Sequence, residues 1–289
     1  MRNRKIFFSF ILALLALAVI LGVVIFQSKQ NTLSVIFLDV GQGDAILISS
    51  GSQQVLIDGG KDGKLLLEKL GKYIPFWDRN IETVLETHPD QDHIGGLVDV
   101  LKVYKIGNVF ETKMQNDSQI FRKLEETIVG NKIEKVEAKK DVMISFSNGA
   151  TLQILYPIES IVDINSNKDT NAYSVVAKLT IGKSKFLLTG DFPTTQDNLL
   201  LNGDTDVSAD FLKVSHHGSK YATSEEFLSR VKPTVAIISV GKKNSYGHPN
   251  QETLQRLMTY KVNIFRTDES GDLEYVCRNL NEKCWRVSY

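Results

Sequence analysis

Leu85-Glu86-Thr87-His88-Pro89-Asp90-Gln91-Asp92-His93-Ile94-Gly95-Gly96 places two imidazoles and two carboxylates within six residues. The residues just ahead, Ile81 to Leu85, form a short apolar run and predict a strand. A strand that ends in a tight turn can aim His88, Asp90, Asp92 and His93 at one point. Neutral imidazole and carboxylate together suit a divalent cation such as zinc or manganese. Gly95 and Gly96 let the backbone turn closely beneath that point and enter a helix. The plain alternative is a polar turn between a strand and a helix. Four potential ligands so close together, followed by Gly-Gly, weigh against it.

Upstream, Leu33 to Val40 predicts a strand, Gly41-Gln42-Gly43-Asp44 a turn and Ala45 to Ile48 a second strand. Gly51 to Gln54 is a hairpin turn, and Val55 to Asp58 a third strand ending in Gly59-Gly60. Leu65 to Tyr73 has helical spacing and is broken by Pro75-Phe76-Trp77-Asp78. Downstream, helices are expected over Leu97 to Tyr104 and Ser118 to Val129, with a short strand at Val109-Phe110. Met143 to Phe146 and Ala150 to Tyr156 predict strands, and Asp163 to Thr170 a polar loop. Ala172 to Thr180 and Lys185 to Thr189 predict a hairpin around Gly182.

Three later strand ends carry chemistry. Thr189-Gly190-Asp191 puts a carboxylate directly after an apolar strand, although an Asp after Gly is more often a turn or cap residue. Phe211 to Ser215 delivers His216-His217-Gly218-Ser219. Adjacent side chains diverge at a strand end, so one imidazole faces the site and the other supports it or donates a proton. Val235 to Val240 is followed by Ser245-Tyr246-Gly247-His248-Pro249. All five histidines thus fall just beyond predicted strands, a distribution that core packing does not explain.

The chain has 289 residues, 42% of them hydrophobic, with 34 basic and 34 acidic side chains. This balance gives no whole-protein sign of nucleic-acid binding, though a local basic groove stays open. From Ile6 to Phe26 the only polar side chain is Ser9, and Arg2, Arg4 and Lys5 precede the run. About 20 apolar residues suffice to span a bilayer as a helix. The basic flank predicts a cytoplasmic N-terminus and a translocated remainder, so a single-pass cell-membrane protein with an extracytoplasmic body is expected. Secretion after signal cleavage is the alternative. Residues 1–32 are accordingly expected to be an anchor and linker, and 33–289 one α+β domain. Cys277 and Cys284 are the two cysteines, and a small disulfide hairpin is expected in an oxidising compartment.

These motifs together resemble the metallo-β-lactamase fold superfamily. His88-Pro-Asp-Gln-Asp-His93 matches its HxHxDH signature with Asp90 in place of the second histidine. That departure looks like the C-terminal hydrolase domain of ComEC-type competence proteins. So do Asp39 to Ala45, Asp58-Gly-Gly, Leu188-Thr-Gly-Asp191, Leu212 to Ser219 and Tyr246-Gly-His-Pro249, in that order. The resemblance implies an αββα sandwich of two mixed sheets with outer helices. It also implies two divalent ions, zinc or manganese. His88 and Asp90 would belong mainly to one ion, and Asp92 and His93 to the other. Asp191 would bridge them, and His216 or His248 would complete the second sphere. The superfamily's usual intermediate histidine is absent, and Asn171 falls roughly at its place.

Two such ions would activate a water for attack on a phosphodiester, DNA included, with Asp92 orienting the water and His217 or His248 donating a proton. Asn171, Ser219, Lys220 and Tyr246 are the expected substrate contacts. Lys213, Lys242 and Lys243 also lie near the strand ends and could meet phosphates. No nucleotide cofactor is expected. Two rival activities stay open. One is hydrolysis of a small ester, thioester or lactam; the Asp-for-His exchange and the His-His-Gly-Ser motif argue against a true β-lactamase. The other is a non-catalytic, membrane-tethered nucleic-acid-binding or assembly module.

Overall fold

Apolar side chains alternate along the strands, and the two faces of each strand find different partners. The computed structural model describes residues 32–161, 169–202, 205–278 and 281–288, with 4, 7, 8 and 10–20 near the N-terminus. In the first sheet, β1 (Leu33–Phe37), β2 (Ile46–Ser50) and β3 (Gln53–Ile57) form an antiparallel meander. β4 (Asn80–Leu85), β5 (Lys105–Glu111) and β6 (Glu134–Glu137) continue it in parallel. In the second, β7 (Met143–Ser145), β8 (Thr151–Tyr156), β9 (Val176–Ile181) and β10 (Ser184–Leu188) are antiparallel. β11 (Phe211–Lys213), β12 (Val235–Ile238) and β13 (Asn263–Arg266) follow β10 in parallel. The chain then returns to the first sheet, where β14 (Leu273–Cys277) pairs with β1 and carries β15 (Trp285–Arg286) at its edge.

One core lies between the sheets. Val35, Phe37, Ile46, Ile48, Val55 and Ile57 meet Leu152, Leu179, Phe186, Leu188 and Ile237 there. Tyr275 stands edge-on to Phe186 and Phe211, with ring centroids 6.0 and 5.0 Å apart. The alternate residues Leu47, Leu56, Val84 and Val109 pack under the helices Gly63–Tyr73, Leu97–Val103 and Gln119–Gly130. On the other side, Leu187, Leu212, Ala236 and Ile238 are covered by Glu225–Val231 and Gln251–Thr259. Helix, sheet, sheet, helix is thus the layer order the resemblance implies.

Helix starts follow local chemistry. Asp62 accepts from the backbone N–H groups of Lys64 and Leu65, Ser118 from Phe121 and Asn250 from Glu252. The expected strand from Ala172 needs correction: Asp169 caps a short 3-10 turn over Thr170–Tyr173, and β9 begins only at Val176. The expected membrane span over Ile6–Phe26 falls partly outside the described residues, and among those described no helix is long and apolar enough to cross a membrane.

Cys277 and Cys284 are bridged, tying β14 to the last turn before β15. Closing a loop of this size is worth about 2–3 kcal/mol on chain-entropy grounds. The double variant Cys277→Ser/Cys284→Ser should lose that much unfolding free energy in a denaturant titration. Dithiothreitol should produce the same loss in the parent and none in the variant.

The parallel strands decide where the site lies. β3, β4, β10, β11 and β12 all run in one direction within their sheets and end at one edge of the sandwich, which is where loops converge in such folds.

Candidate metal centre

Beyond Leu85 the chain leaves β4 and passes through Thr87 and His88. The N–H groups of His93 and Ile94 both donate to the Asp90 carbonyl, opening the short helix Gln91–Ile94. This turn carries His93 inward. Two glycines permit the fit. A Cβ at Gly43 would lie 1.9 Å from the Asp92 carbonyl oxygen, and one at Gly96 would lie 2.1 Å from that of Gly59. From the opposite sheet, Asp191 follows β10 with its N–H donating to Ser174 Oγ at 3.2 Å. His216 and His217 sit in consecutive left-handed conformations, φ 50° and 53°. Such backbone strain is typical of functional turns. The His216 N–H donating to the Gly190 carbonyl helps hold it.

Asp191 is the centre of the cluster. Its Oδ1 lies 3.4 Å from His93 Nε2, and its Oδ2 lies 3.5 Å from His217 Nε2, 3.7 Å from His216 Nε2 and 4.0 Å from His88 Nε2. His217 Nε2 is also 3.5 Å from Asp92 Oδ2, and His88 Nε2 is 3.8 Å from Asp90 Oδ2. A tetrahedral ion with bonds near 2.0–2.1 Å holds its ligand atoms about 3.3–3.5 Å apart. The shorter of these separations match that spacing. His88, His93 and Asp191 form one group able to hold an ion, and Asp92, His93 and His217 another. The inward atoms His88 Nε2, His93 Nε2, His217 Nε2 and Asp191 Oδ1 are buried without hydrogen-bond partners. Buried polar atoms are rarely left so, and a cation is what this donor set fits.

The outer nitrogens are committed elsewhere. His93 Nδ1 donates to Asp58 Oδ2 at 2.8 Å, and Asp58 in turn accepts from the Thr87 N–H and hydroxyl at 2.8 and 2.7 Å. His217 Nδ1 donates to the Ser239 carbonyl at 2.9 Å. Thr87 Oγ1 is 3.1 Å from His88 Nδ1, and the Thr170 hydroxyl donates to Asp90 Oδ1 at 2.6 Å. Such bonds orient each ligand and turn its free atom inward. Lys213 does not face solvent as the strand-end reading expects. It is wholly buried, ion-paired with Asp44, and donates to the Gly190 carbonyl at 3.0 Å.

The charges reinforce one another. Burial, then the neighbouring His93, lowers His88 to about 3, leaving a neutral ligand. Burial opposes charge on His93 and His217, but Asp191, with Asp58 for His93 and Asp92 for His217, outweighs it and raises both. Burial is likewise outweighed at Asp191 by His217 and His93, and at Asp92 by His217 and His93, so both carboxyls are lowered. Burial raises Asp90. Burial with His216 and His217 lowers His248 to about 4.

Behind the site, burial raises Glu111 to about 7 against the pull of Lys135, and burial with Glu111 raises Glu86. A folded value above the unfolded 4.5 gives stability that is present below pH 4.5 and lost as pH rises through 7. Glu111→Gln should therefore unfold later than the parent at pH 8, by on the order of 2 kcal/mol, and together with it at pH 4.5. Equal midpoints at pH 8 would refute this.

A cavity of about 100 Å³ opens over the cluster, lined by Gln42, Asp90, Asp92, Asp191, His216, His217, Tyr246 and His248. His88 and His93 lie beneath it, buried. His217 is buried with its Nε2 among the donors, whereas the side chain of His216 is 30% exposed at the rim. From the sequence, His216 or His248 is expected to complete the second sphere and His217 or His248 to donate a proton; the geometry sets His217 in the compact donor groups and keeps His216 at the cavity rim, 3.7 Å from Asp191. His248 stands at the wall, its ring 5.8 Å from that of Tyr246 and 5.5 Å from that of His216, and outside the compact donor groups. Ser219 and Lys220 do not line the cavity. Ser219 Oγ accepts from the Tyr221 N–H, and Lys220 lies over the Tyr221 ring at 4.9 Å. Asn171 adjoins Thr170 in the 3-10 turn, and its Oδ1 is buried without a partner. Sequence reasoning assigned no role to Asp44, Asp58, Thr87 or Gln42. Asp44 and Asp58 carried the signal used for Asp191, an acid next to glycine at a strand end.

Residues 38–111 match the metallo-beta-lactamase superfamily. ComE operon protein 3 of Bacillus subtilis (strain 168) is 31% identical over 266 residues, covering 84% of this chain and 33% of that protein. Recombination protein 2 of Haemophilus influenzae (strain ATCC 51907 / DSM 11121 / KW20 / Rd) is 31% identical over 252 residues, covering 86% and 29%. The chain therefore spans about a third of the length of these curated relatives. The metallo-beta-lactamase fold protein YhfI from Bacillus subtilis aligns with a TM-score of 0.55 at 12% identity, over 84% of this chain and 99% of that one, a likeness of fold alone.

Proposed function

We propose a specific activity for this chain, which is a metallo-β-lactamase-fold protein resembling ComEC-type competence proteins: a metal-dependent phosphodiesterase that cleaves DNA. The fold implies a metal-dependent hydrolase. The observation that carries the reading is the set of partnerless buried donors converging on Asp191 beneath an open cavity. Asp44, Asp58, Asp90, Asp92 and Asp191 gather there against one buried ammonium, Lys213. Without cations such a pocket repels a phosphodiester; with two divalent ions it attracts one.

Zinc or manganese held by His88, Asp90, Asp92, His93, Asp191 and His217 would supply Lewis acidity to a water and to a phosphoryl oxygen of the substrate. The chain's own groups do the rest. Asp92 stays ionised beside His217 and orients the attacking water by accepting its hydrogen bond. Asp191 sits between the two donor groups and can serve both. His248 and Tyr246, on the wall, meet the leaving oxygen and the flanking nucleotide. A cavity of about 100 Å³ lined mainly by polar side chains has room for a phosphoryl group and water. Relatives named Recombination protein 2 and Competence protein ComA are our reason for choosing DNA as the diester.

The apolar run Ile6–Phe26 is proposed to anchor the chain in the cell membrane, with residues 33–289 as the extracytoplasmic hydrolase domain.

The test is cleavage of single- and double-stranded DNA by the purified chain with manganese, zinc or chelator, beside Asp92→Ala/His93→Ala. Metal-dependent cleavage lost in the variant is expected. Stoichiometric metal without cleavage would remove DNA as substrate. No bound metal would sink the enzyme.

A further inference from the structure

One end of the sandwich carries the metal centre, and the other carries an exposed aromatic pair. Phe76 and Trp77 are 79% and 73% exposed, and their rings meet edge to face with centroids 4.9 Å apart. They stand on the turn that leads into Asn80, where β4 begins its run toward His88. The Lys105 N–H donates to the Arg79 carbonyl at 2.7 Å and ties this turn to the start of β5. The helices Leu97–Val103 and Gln119–Gly130 finish at the same end, where Asn131 Nδ2 donates to the Leu101 carbonyl. Their last turns leave Val103 and Val129 46% and 70% exposed. Arg79, Lys105 and Lys132 are exposed around this apolar group. Asp78, the acid on the aromatic turn, accepts from the Asn80 N–H.

The chain also enters here. Leu33 pairs with Ser50 and with Cys277, at the end of β1 opposite the one that leads toward Asp44. Only Gln27 to Thr32 separate Phe26, the last residue of the apolar run, from Leu33. Seven Cα steps reach at most about 25 Å. An anchor ending at Phe26 therefore holds the Leu33 end near the headgroups and turns the metal centre away. Tryptophan and phenylalanine ringed by arginine and lysine is the composition that settles at a bilayer interface.

We propose that the face built from Phe76, Trp77, Val103 and Val129 rests on the lipid surface, so that the metal centre opens toward the aqueous phase. This rests on the anchoring part of the proposed function. A docked face of this kind fixes the height and tilt of the cavity above the membrane, which attachment at a single point would not.

The chain has two tryptophans, Trp77 and Trp285, so fluorescence can test the idea in the full chain. Trp285→Phe leaves Trp77 as the sole reporter. The difference between the parent and Trp77→Phe gives the same signal without altering Trp285. Each is reconstituted into phosphatidylglycerol/phosphatidylcholine vesicles, with and without bromine on the acyl chains. The expected result is a blue shift of Trp77 emission, its loss in brominated vesicles and protection from aqueous iodide. Suppose the chain resists carbonate extraction but Trp77 remains open to iodide and untouched by bromine. The anchor then stands and the docked face is overturned. Suppose carbonate releases the chain. The anchoring reading then fails, and the docked face falls with it.

Discussion

Asp191→Asn should strip the centre of metal and lower DNA cleavage by on the order of 10³-fold or more, the size of effect seen when a preorganised charge at a reacting centre is removed. The reason is its position. Its two oxygens face His88, His93, His216 and His217 at 3.4 to 4.0 Å, and among the described residues no other carboxylate approaches as many of the donors. An amide offers one neutral oxygen where the carboxylate offers two charged ones. The same change should destabilise the metal-free protein, because His93, His217 and Lys213 lose the counter-charge they share. Leaving buried charge uncompensated costs about 3–5 kcal/mol. Two measurements check this: metal content after gel filtration, and denaturant unfolding in chelator. Full metal content in Asp191→Asn would show that the ions sit elsewhere.

Lys213→Met should be nearly as damaging, by another route. Lys213 lies within β11 and is wholly buried, with Asp44 as its ion partner, and Asp44 itself is 1% exposed. Removing the ammonium leaves a carboxylate inside the protein, again at a cost of about 3–5 kcal/mol. Adding Asp44→Asn should restore a large part of that loss, since both charges are then gone. Function should suffer as well. The Asp44 N–H donates to the Asp92 carbonyl at 3.3 Å, so the Asp44 turn braces the ligand turn. Metal affinity should fall about 10- to 100-fold, as it does when groups behind a ligand are lost. Unfolding of Lys213→Met at the parent's denaturant midpoint would refute the account.

Much of the architecture was legible because periodicity is local. The short apolar runs from Leu33 to Ile57, bounded by turns containing glycine, led to three strands close to their observed places, since each has to bury both faces. The elements after Asn250 were left unread, β13 and the helix Gln251–Thr259 among them. β13 is nowhere fully buried and the helix has few apolar positions, so the pattern is faint there. Ala172 was misread for a related reason. Apolar residues from Ala172 onward look like one strand, but Asp169 captures the Asn171 N–H and bends the chain first.

For the candidate site, the sequence alone determined the chemistry: histidines and aspartates at strand ends, next to glycines that allow close turns. That followed from residue type and spacing, which need no distant partner. Tertiary structure decided which atoms converge. The alternation that would separate His216 from His217 does not apply, because both lie in left-handed conformations and their aim is set by Gly190 and Ser239, just beyond the ends of β10 and β12. It also decided that Lys213 would be an internal counter-charge rather than a surface cation, because its partner Asp44 comes from the other sheet. Burial of a charge depends on what packs against it, and here that is a turn far away in the chain.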